Sequence, residues 1–329
     1  MMNPVPDKIH WGIIGCGDVC EVKSGPAFNK IPNSRLVAVM RRDAEKVKDF
    51  AIRHSVPKYY TDAGELIQDS AVNAIYIATP PSTHELYTEM ALSAGKPVYV
   101  EKPVTIHSES LRRMMEAQKK YNGKVSVAHY RRSLPLFIKI KALLQSGELG
   151  KPGLVLLQTL QPPVSKMVAQ TGGNWRINPA LSGGGLFHDL SPHQLDILYW
   201  LFGPPLASDV QVINQGKLYP APDLTMIQLR FENDLYFNGT WSFNVASEAA
   251  ADRCEIIGDR GMLRFSFFSA GAIELINEKG NRIIEVEYPE NIQLPHIRNV
   301  VQFFRGEGLN PCSLEEALIT MEIMDKARL

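Results

Sequence analysis

From Ile9 to His129 strand-length apolar runs alternate with helical patterns, and few folds accommodate that order. Ile9 to Ile14 reads as a strand running straight into Gly12-Ile13-Ile14-Gly15-Cys16-Gly17-Asp18-Val19-Cys20. Arg35 to Met40 is a second strand. Asp43 to His54 then carries Val47, Phe50 and Ala51 at helical spacing behind Asp43, a candidate N-cap. Asn73 to Ala78, Val98 to Glu101 and Lys124 to His129 are further strands, separated by helices over Ser82 to Ala94 and Ser108 to Tyr121. Helix-length crossovers imply right-handed βαβ units and therefore a doubly wound parallel sheet.

In such a sheet ligands lie beyond the carboxyl ends of the strands. Gly15-x-Gly17 supplies the tight turn and close backbone approach that a pyrophosphate needs at a helix N-terminus, which brings Asp18 and Val19 to the same ligand. Cys20 stands where the third glycine of GxGxxG belongs. Its small side chain still permits fairly close helix-on-strand packing, and it reads as a buried structural cysteine. An NAD-preferring site places a carboxylate at the end of the second strand, a little over 20 residues beyond the turn. This chain has Arg41 and Arg42 there, and a guanidinium grips a 2′-phosphate instead of accepting from ribose hydroxyls. NADP(H) is therefore the expected preference, with NAD(H) the alternative if Asp43, beside the arginines, is a ribose ligand rather than a helix cap. Thr79, Pro80 and His84 sit at another strand's carboxyl end, where they line the dinucleotide or form an ordinary βα turn. Val98-Tyr99-Val100-Glu101-Lys102-Pro103 is a buried-strand pattern ending on a cation. Lys102 is a candidate for chemistry and, with Glu101, for cofactor contact; a strand-ending surface Lys-Pro is the plainer reading. The bond to Pro103 is open to cis or trans, because the trans preference before proline is only about 0.5–1 kcal/mol.

Beyond His129 the pattern changes. Leu134 to Gln145 is an amphipathic helix, followed by strand-like runs at Leu154–Leu160, Val210–Ile213, Met226–Phe231, Leu235–Phe243, Cys254–Ile257, Met262–Phe267 and Ile273–Ile276, with turn residues between them at meander spacing. Two late helices, around Ile297 to Phe304 and Leu314 to Ala327, close the chain. A length of 329 residues exceeds what one core usually holds, so two domains are expected, 1–128 and 129–329. The fold class is α/β: a Rossmann parallel sheet, then an α+β domain on a mainly antiparallel open sheet. Lys plus Arg equals Asp plus Glu at 35 each, with no basic run, which argues against nucleic acid and for a small-molecule partner. The four cysteines lack CxxC spacing and suit a reducing compartment, so a cytoplasmic protein is expected. Neither an export signal nor an 18-residue apolar span is present, so no membrane association is expected.

Ser182-Gly183-Gly184-Gly185 precedes a stretch in which Asp189 and His193 are four apart, one face of a continuous helix. Pro192 complicates this, because Ser191, Pro192 and Gln194 also spell a capping box that would restart the helix inside the motif. A core histidine facing a structural aspartate is the plainer alternative. His188, Asp189 and His193 lack a further close cluster, and no metal is expected.

The Gly turn, Glu101-Lys102-Pro103, Tyr130-Arg131-Arg132, Trp175-Arg176, and Gly184-Gly185 followed by Asp189-x-x-x-His193 together resemble the Gfo/Idh/MocA family (glucose-fructose oxidoreductase, inositol dehydrogenase, rhizopine catabolism) over essentially the whole chain. Cys20 and Pro192 depart from its pattern. The resemblance implies a first domain binding a nicotinamide dinucleotide and a cleft between domains holding a sugar, polyol or related alcohol. It implies hydride transfer with His193 as base, Asp189 orienting it or bonding a neighbouring hydroxyl, and Lys102 polarising the reacting oxygen. Tyr130, Arg131, Trp175 and Arg176 fall to substrate contact, and a homo-dimer or tetramer paired through the second-domain sheet is implied. Two other classes stay open, a glycosidase using bound NAD for transient redox and a non-catalytic dinucleotide sensor.

Overall fold

The computed structural model describes residues 6–22, 24–164, 167, 175–269 and 271–328, with the backbone alone for Asp18, Val22 and Trp175. The chain forms two compact units, Met1–Arg131 with Pro289–Leu318, and Arg132–Tyr288 with Ile319–Leu329. It does not divide once at residue 128, because a late segment returns to the first unit.

The first unit runs β1 (Ile9–Ile14), α1 (Asp18–Val22), α2 (Gly25–Phe28), β2 (Ser34–Met40), α3 (Ala44–Arg53), β3 (Lys58–Tyr60), α4 (Ala63–Gln68), β4 (Ala74–Ile77), α5 (His84–Ser93), β5 (Val98–Val100), α6 (Ser108–Tyr121) and β6 (Val125–Val127). Its strands pair all-parallel in the order β3-β2-β1-β4-β5-β6. The order reverses at β1, the switch point at which doubly wound sheets bind ligands. β3 and α4 are absent from the sequence reading because three and six residues are too short for a periodicity to register. The helix after the Gly turn is brief. α1 has five residues, and α2 restarts on Gly25-Pro26, a proline placed where a first helical turn tolerates it.

The second unit runs α7 (Pro135–Gln145), β7 (Pro152–Leu160), α8 (Pro179–Ser182), α9 (Leu186–Phe202), β8 (Ala207–Ile213), β9 (Leu224–Arg230), β10 (Tyr236–Ser242), β11 (Ala251–Gly258), β12 (Gly261–Phe265), β13 (Ala272–Asn277) and β14 (Gly280–Glu285). The sheet order is β14-β13-β12-β11-β7-β10-β9-β8. Two antiparallel meanders, β8 to β10 and β11 to β14, flank β7, which is parallel to β10. Period-two alternation sorts the faces: Val155, Leu157, Phe237, Ile256, Leu263 and Leu275 are buried on one. The other carries the register row Tyr236, Leu154, Ile257, Met262 and Ile276, and beside it the ion pairs of Arg264 with Glu255 and Glu274 at 2.8 and 2.7 Å.

Helices α10 (Leu294–Phe304) and α11 (Leu314–Asp325) end the chain. α10 buries Ile297, Val300, Val301 and Phe304 in the core of the first unit, with Trp11, Phe28, Tyr76 and Tyr99. Helical periodicity identifies that apolar stripe but not the core it covers, which is why a single division at residue 128 fails. Just beyond, the Val127 N–H donates to the Cys312 carbonyl at 2.9 Å and Asn310 Nδ2 to the Val125 carbonyl at 2.8 Å, closing the β6 edge.

Candidate functional site

The candidate site residues fall into two groups, one in each unit. At the turn after β1, Gly15 has φ of +91°, and a Cβ there would lie 2.6 Å from Thr79 Cγ2 and 2.9 Å from Thr79 N. The protein itself therefore demands glycine. Gly17 differs, because a Cβ there would meet only Gly15 O, at 4.0 Å. Internal packing does not require glycine at that position, and the open space beside it fits the close backbone approach of a pyrophosphate. Cys16 and Cys20 are buried; burial pushes the Cys16 thiol up to about 11 and the Cys20 thiol higher still, so both are inert core thiols.

Arg41 follows β2, and its Nη1 donates to the Cys16 carbonyl at 3.4 Å, which brings the guanidinium to the Gly turn. Arg42 is exposed. Asp43, the competing carboxylate, caps α3: it accepts the Lys46 N–H at 3.1 Å, and that bond, with Lys46 Nζ at 3.3 Å, holds its carboxyl below the usual range. Thr79 and Pro80 follow β4 and are half-buried. His84 is fully buried, with Nε2 2.8 Å from the Thr79 carbonyl and Nδ1 3.1 Å from that of Val104. Burial lowers its pKa, so the ring is a neutral tie that donates to one of the two carbonyls. It lies between the Thr79 loop and the segment after Pro103 and presents no surface of its own.

β5 delivers the other end of this group. Lys102 is half-buried, and its bond to Pro103 is cis. Its main-chain N–H donates to Glu101 Oε2 at 3.1 Å, and Glu101, itself buried, also accepts the Tyr76 hydroxyl at 2.5 Å. Glu101 thus holds the backbone of the strand end with its side chain, a use that its place in the motif does not reveal. Tyr130 and Arg131 are buried in a short 3-10 turn after β6, with the guanidinium 5.6 Å from the tyrosine ring centre.

In the second unit α9 is unbroken from Leu186 to Phe202, with Pro192 inside it. The capping-box restart at Ser191 does not form. Gln194, the residue that would complete it, instead donates to Thr159 Oγ1 at 2.7 Å and accepts the Trp241 indole N–H at 2.6 Å, bonds to β7 and β10 that a local motif cannot anticipate. Asp189 and His193 thus lie one turn apart on one helix. Arg176 Nε donates to Asp189 Oδ2 at 3.1 Å, with both side chains largely buried. Farther along, Arg132 grips Asp196 with Nε and Nη2 at 2.9 and 2.7 Å, a buried bidentate pair. His193 is buried, and the Phe268 ring meets it edge-on at 6.1 Å. The Trp175 side chain lies outside the described residues. His188 packs on Gly184, where a Cβ would strike the ring, and burial, helped by the charge of Arg328, pushes its pKa down to about 3. Among the described residues no three His, Cys, Asp or Glu side chains gather as a metal site.

The α/β unit with its Gly turn at the switch point defines a dinucleotide-binding protein. Residues 9–129 match the oxidoreductase family model with an NAD-binding Rossmann fold, and residues 137–264 match the Gfo/Idh/MocA C-terminal domain. An oxidoreductase, P35, of Formosa agariphila is 44% identical over 325 residues, 97% of this chain and 98% of its own. An inositol 2-dehydrogenase of Acidothermus cellulolyticus is 28% identical over 258 residues, covering 77% and 72%. In fold, the aldose-aldose oxidoreductase of Caulobacter crescentus superposes with a TM-score of 0.84 at 22% identity, covering 97% and 96%. The chain belongs to the Gfo/Idh/MocA family and is an NAD(P)-binding oxidoreductase.

Proposed function

We propose that the protein moves hydride between NADP(H) and the hydroxyl or carbonyl carbon of a sugar, polyol or related alcohol. Kinship with an inositol 2-dehydrogenase supports the substrate class. The observation that carries the reading is the unbroken, pinned α9, which offers a carboxylate and an imidazole one turn apart. His193 takes the hydroxyl proton, a task suited to imidazole near neutral pH. Asp189, held by Arg176, orients the imidazole or bonds a neighbouring hydroxyl. Lys102, at the carboxyl end of β5, polarises the reacting oxygen. Gly15, Gly17, Asp18, Val19, Arg41, Arg42, Thr79 and Pro80 hold the dinucleotide, which supplies the hydride acceptor or donor when bound. Tyr130, Arg131, Trp175 and Arg176 contact the substrate. Four free, buried cysteines suit a cytoplasmic enzyme.

The preference for NADP(H) rests on Arg41 lying against the Gly turn while Asp43 is engaged as a cap. The test is a reduction screen over sugars, inositols and sugar acids with both dinucleotides, on the unmodified protein and on Arg41→Asp. We expect higher kcat/KM with NADP+ and erosion or reversal of that preference in the variant. Equal or better efficiency with NAD+ in the unmodified protein refutes the reading of Arg41 and turns attention to Asp43. No observation favours the glycosidase or the sensor.

A further inference from the structure

Glu101 has more donors than its neighbours in sequence supply. Beyond Tyr76 and the Lys102 N–H, its Oε1 accepts the side-chain amide of Gln293 at 2.8 Å. Gln293 is 1% exposed and stands immediately before α10, in the segment that returns to the first unit. Its amide oxygen accepts the Tyr99 hydroxyl at 3.3 Å, and the rings of Tyr99 and Tyr76 stack at 5.0 Å. The amide has one sensible orientation: flipped, it would set a carbonyl against a carboxylate and leave the tyrosine donor facing N–H. Burial raises the pKa of both phenols well above the ordinary value, so they remain donors. Tyr76, Tyr99, Glu101 and Gln293 thus form one buried chain of hydrogen bonds at the carboxyl ends of β4 and β5, where ligands of such sheets bind. It ends on the backbone of Lys102.

We infer that Gln293 is a positioning residue for the reaction: by donating to Glu101 it orients the carboxylate that takes the Lys102 N–H, and so sets the direction in which the Lys102 amine is presented. This rests on the role given to Lys102 above. A glutamine that merely filled a core would be replaceable by an apolar residue of its shape at constant turnover. A donor aimed at a buried carboxylate is not, because charge-assisted bonds are roughly twice as strong as neutral ones and fix geometry.

Two variants test it. Gln293→Met keeps length and removes the donor; kcat should fall at least about tenfold, the scale of a misdirected catalytic group, with KM for the dinucleotide within about twofold of the unmodified value. Gln293→Glu puts two carboxyls within hydrogen-bonding distance, so that the second ionises only at a pH above the ordinary carboxyl range. While the introduced carboxyl is protonated it donates as the amide did, so kcat should approach the unmodified value at the acid end of the range. It should then drop as pH rises, a new falling limb that a purely structural role would not produce in fully folded enzyme. The acylation rate of the Lys102 amine, followed by peptide mapping, should move in parallel without any turnover. Unchanged kcat, pH profile and labelling in folded Gln293→Glu overturn the inference, as does activity loss in both variants that tracks only the loss of folded protein by circular dichroism. If the reading of Lys102 is itself wrong, the signature differs: Lys102→Ala keeps full turnover while the labelling of Lys102 still responds to position 293.

Discussion

At the scale of single residues, the two glycines of the turn look equivalent in sequence and are not. Gly15 is required by Thr79, whereas Gly17 faces open space. Gly17→Ala should therefore weaken dinucleotide binding by at least about tenfold, since its Cβ enters the ligand's path, with no change in the melting temperature of the ligand-free protein. Gly15→Ala should lower both, because its Cβ displaces the Thr79 backbone. Calorimetric titration beside thermal unfolding separates the two. For the chemical step, Lys102→Ala and His193→Asn should each reduce kcat at least about a hundredfold, the low end for a positioned acid or base, with dinucleotide affinity held within tenfold. Near-normal turnover in either would remove that residue from the mechanism.

At the scale of elements, α9 is where sequence and structure diverge most usefully. Ser191-Pro192-x-Gln194 has the local signature of a helix start, yet the helix runs through it, with Gln194 committed to β7 and β10 and Asp196 to Arg132. Tertiary bonds outweigh one missing main-chain hydrogen bond. The first turn of α9 also explains an expected acid sensitivity. His188 has a folded-state pKa near 3 against an ordinary 6.5, so the unfolded chain binds its proton first as pH falls. The stability due to the neutral, buried ring is full above about pH 6.5 and is lost progressively as pH drops toward 3, up to roughly 5 kcal/mol. His188→Leu should flatten that part of the denaturation midpoint against pH, whatever its effect at neutrality. An unchanged slope would show that other groups govern acid unfolding.

At the scale of the whole molecule, the eight-stranded sheet buries the side chains of one face, while the row on its other face is half-buried or exposed. Across it, register aligns Tyr236, Leu154, Ile257, Met262 and Ile276 in one apolar row beside the Arg264, Glu255 and Glu274 ladder. The dimer or tetramer that the family resemblance implies is expected to pair through that face, and light scattering should report it at micromolar concentration. Met262→Asp should shift the mass toward the monomer with circular dichroism unchanged; a monomeric unmodified protein would refute the assignment.

Sequence alone determined what depends on neighbours in the chain: the alternation that makes a parallel sheet, the Gly turn, Asp43 as a candidate cap of the helix after it, and the spacing of four between Asp189 and His193. These follow from local sterics and periodicity, which act within a few residues. Only the tertiary structure decided that α10 returns to the first unit, that Glu101 is bonded by Tyr76 and Gln293, that His84 is buried between two loops, and that Pro192 leaves α9 whole. Each joins residues distant in the chain through hydrogen bonds or apolar contact, and a one-dimensional pattern records which side chains can make such bonds but not which partners the fold brings to them.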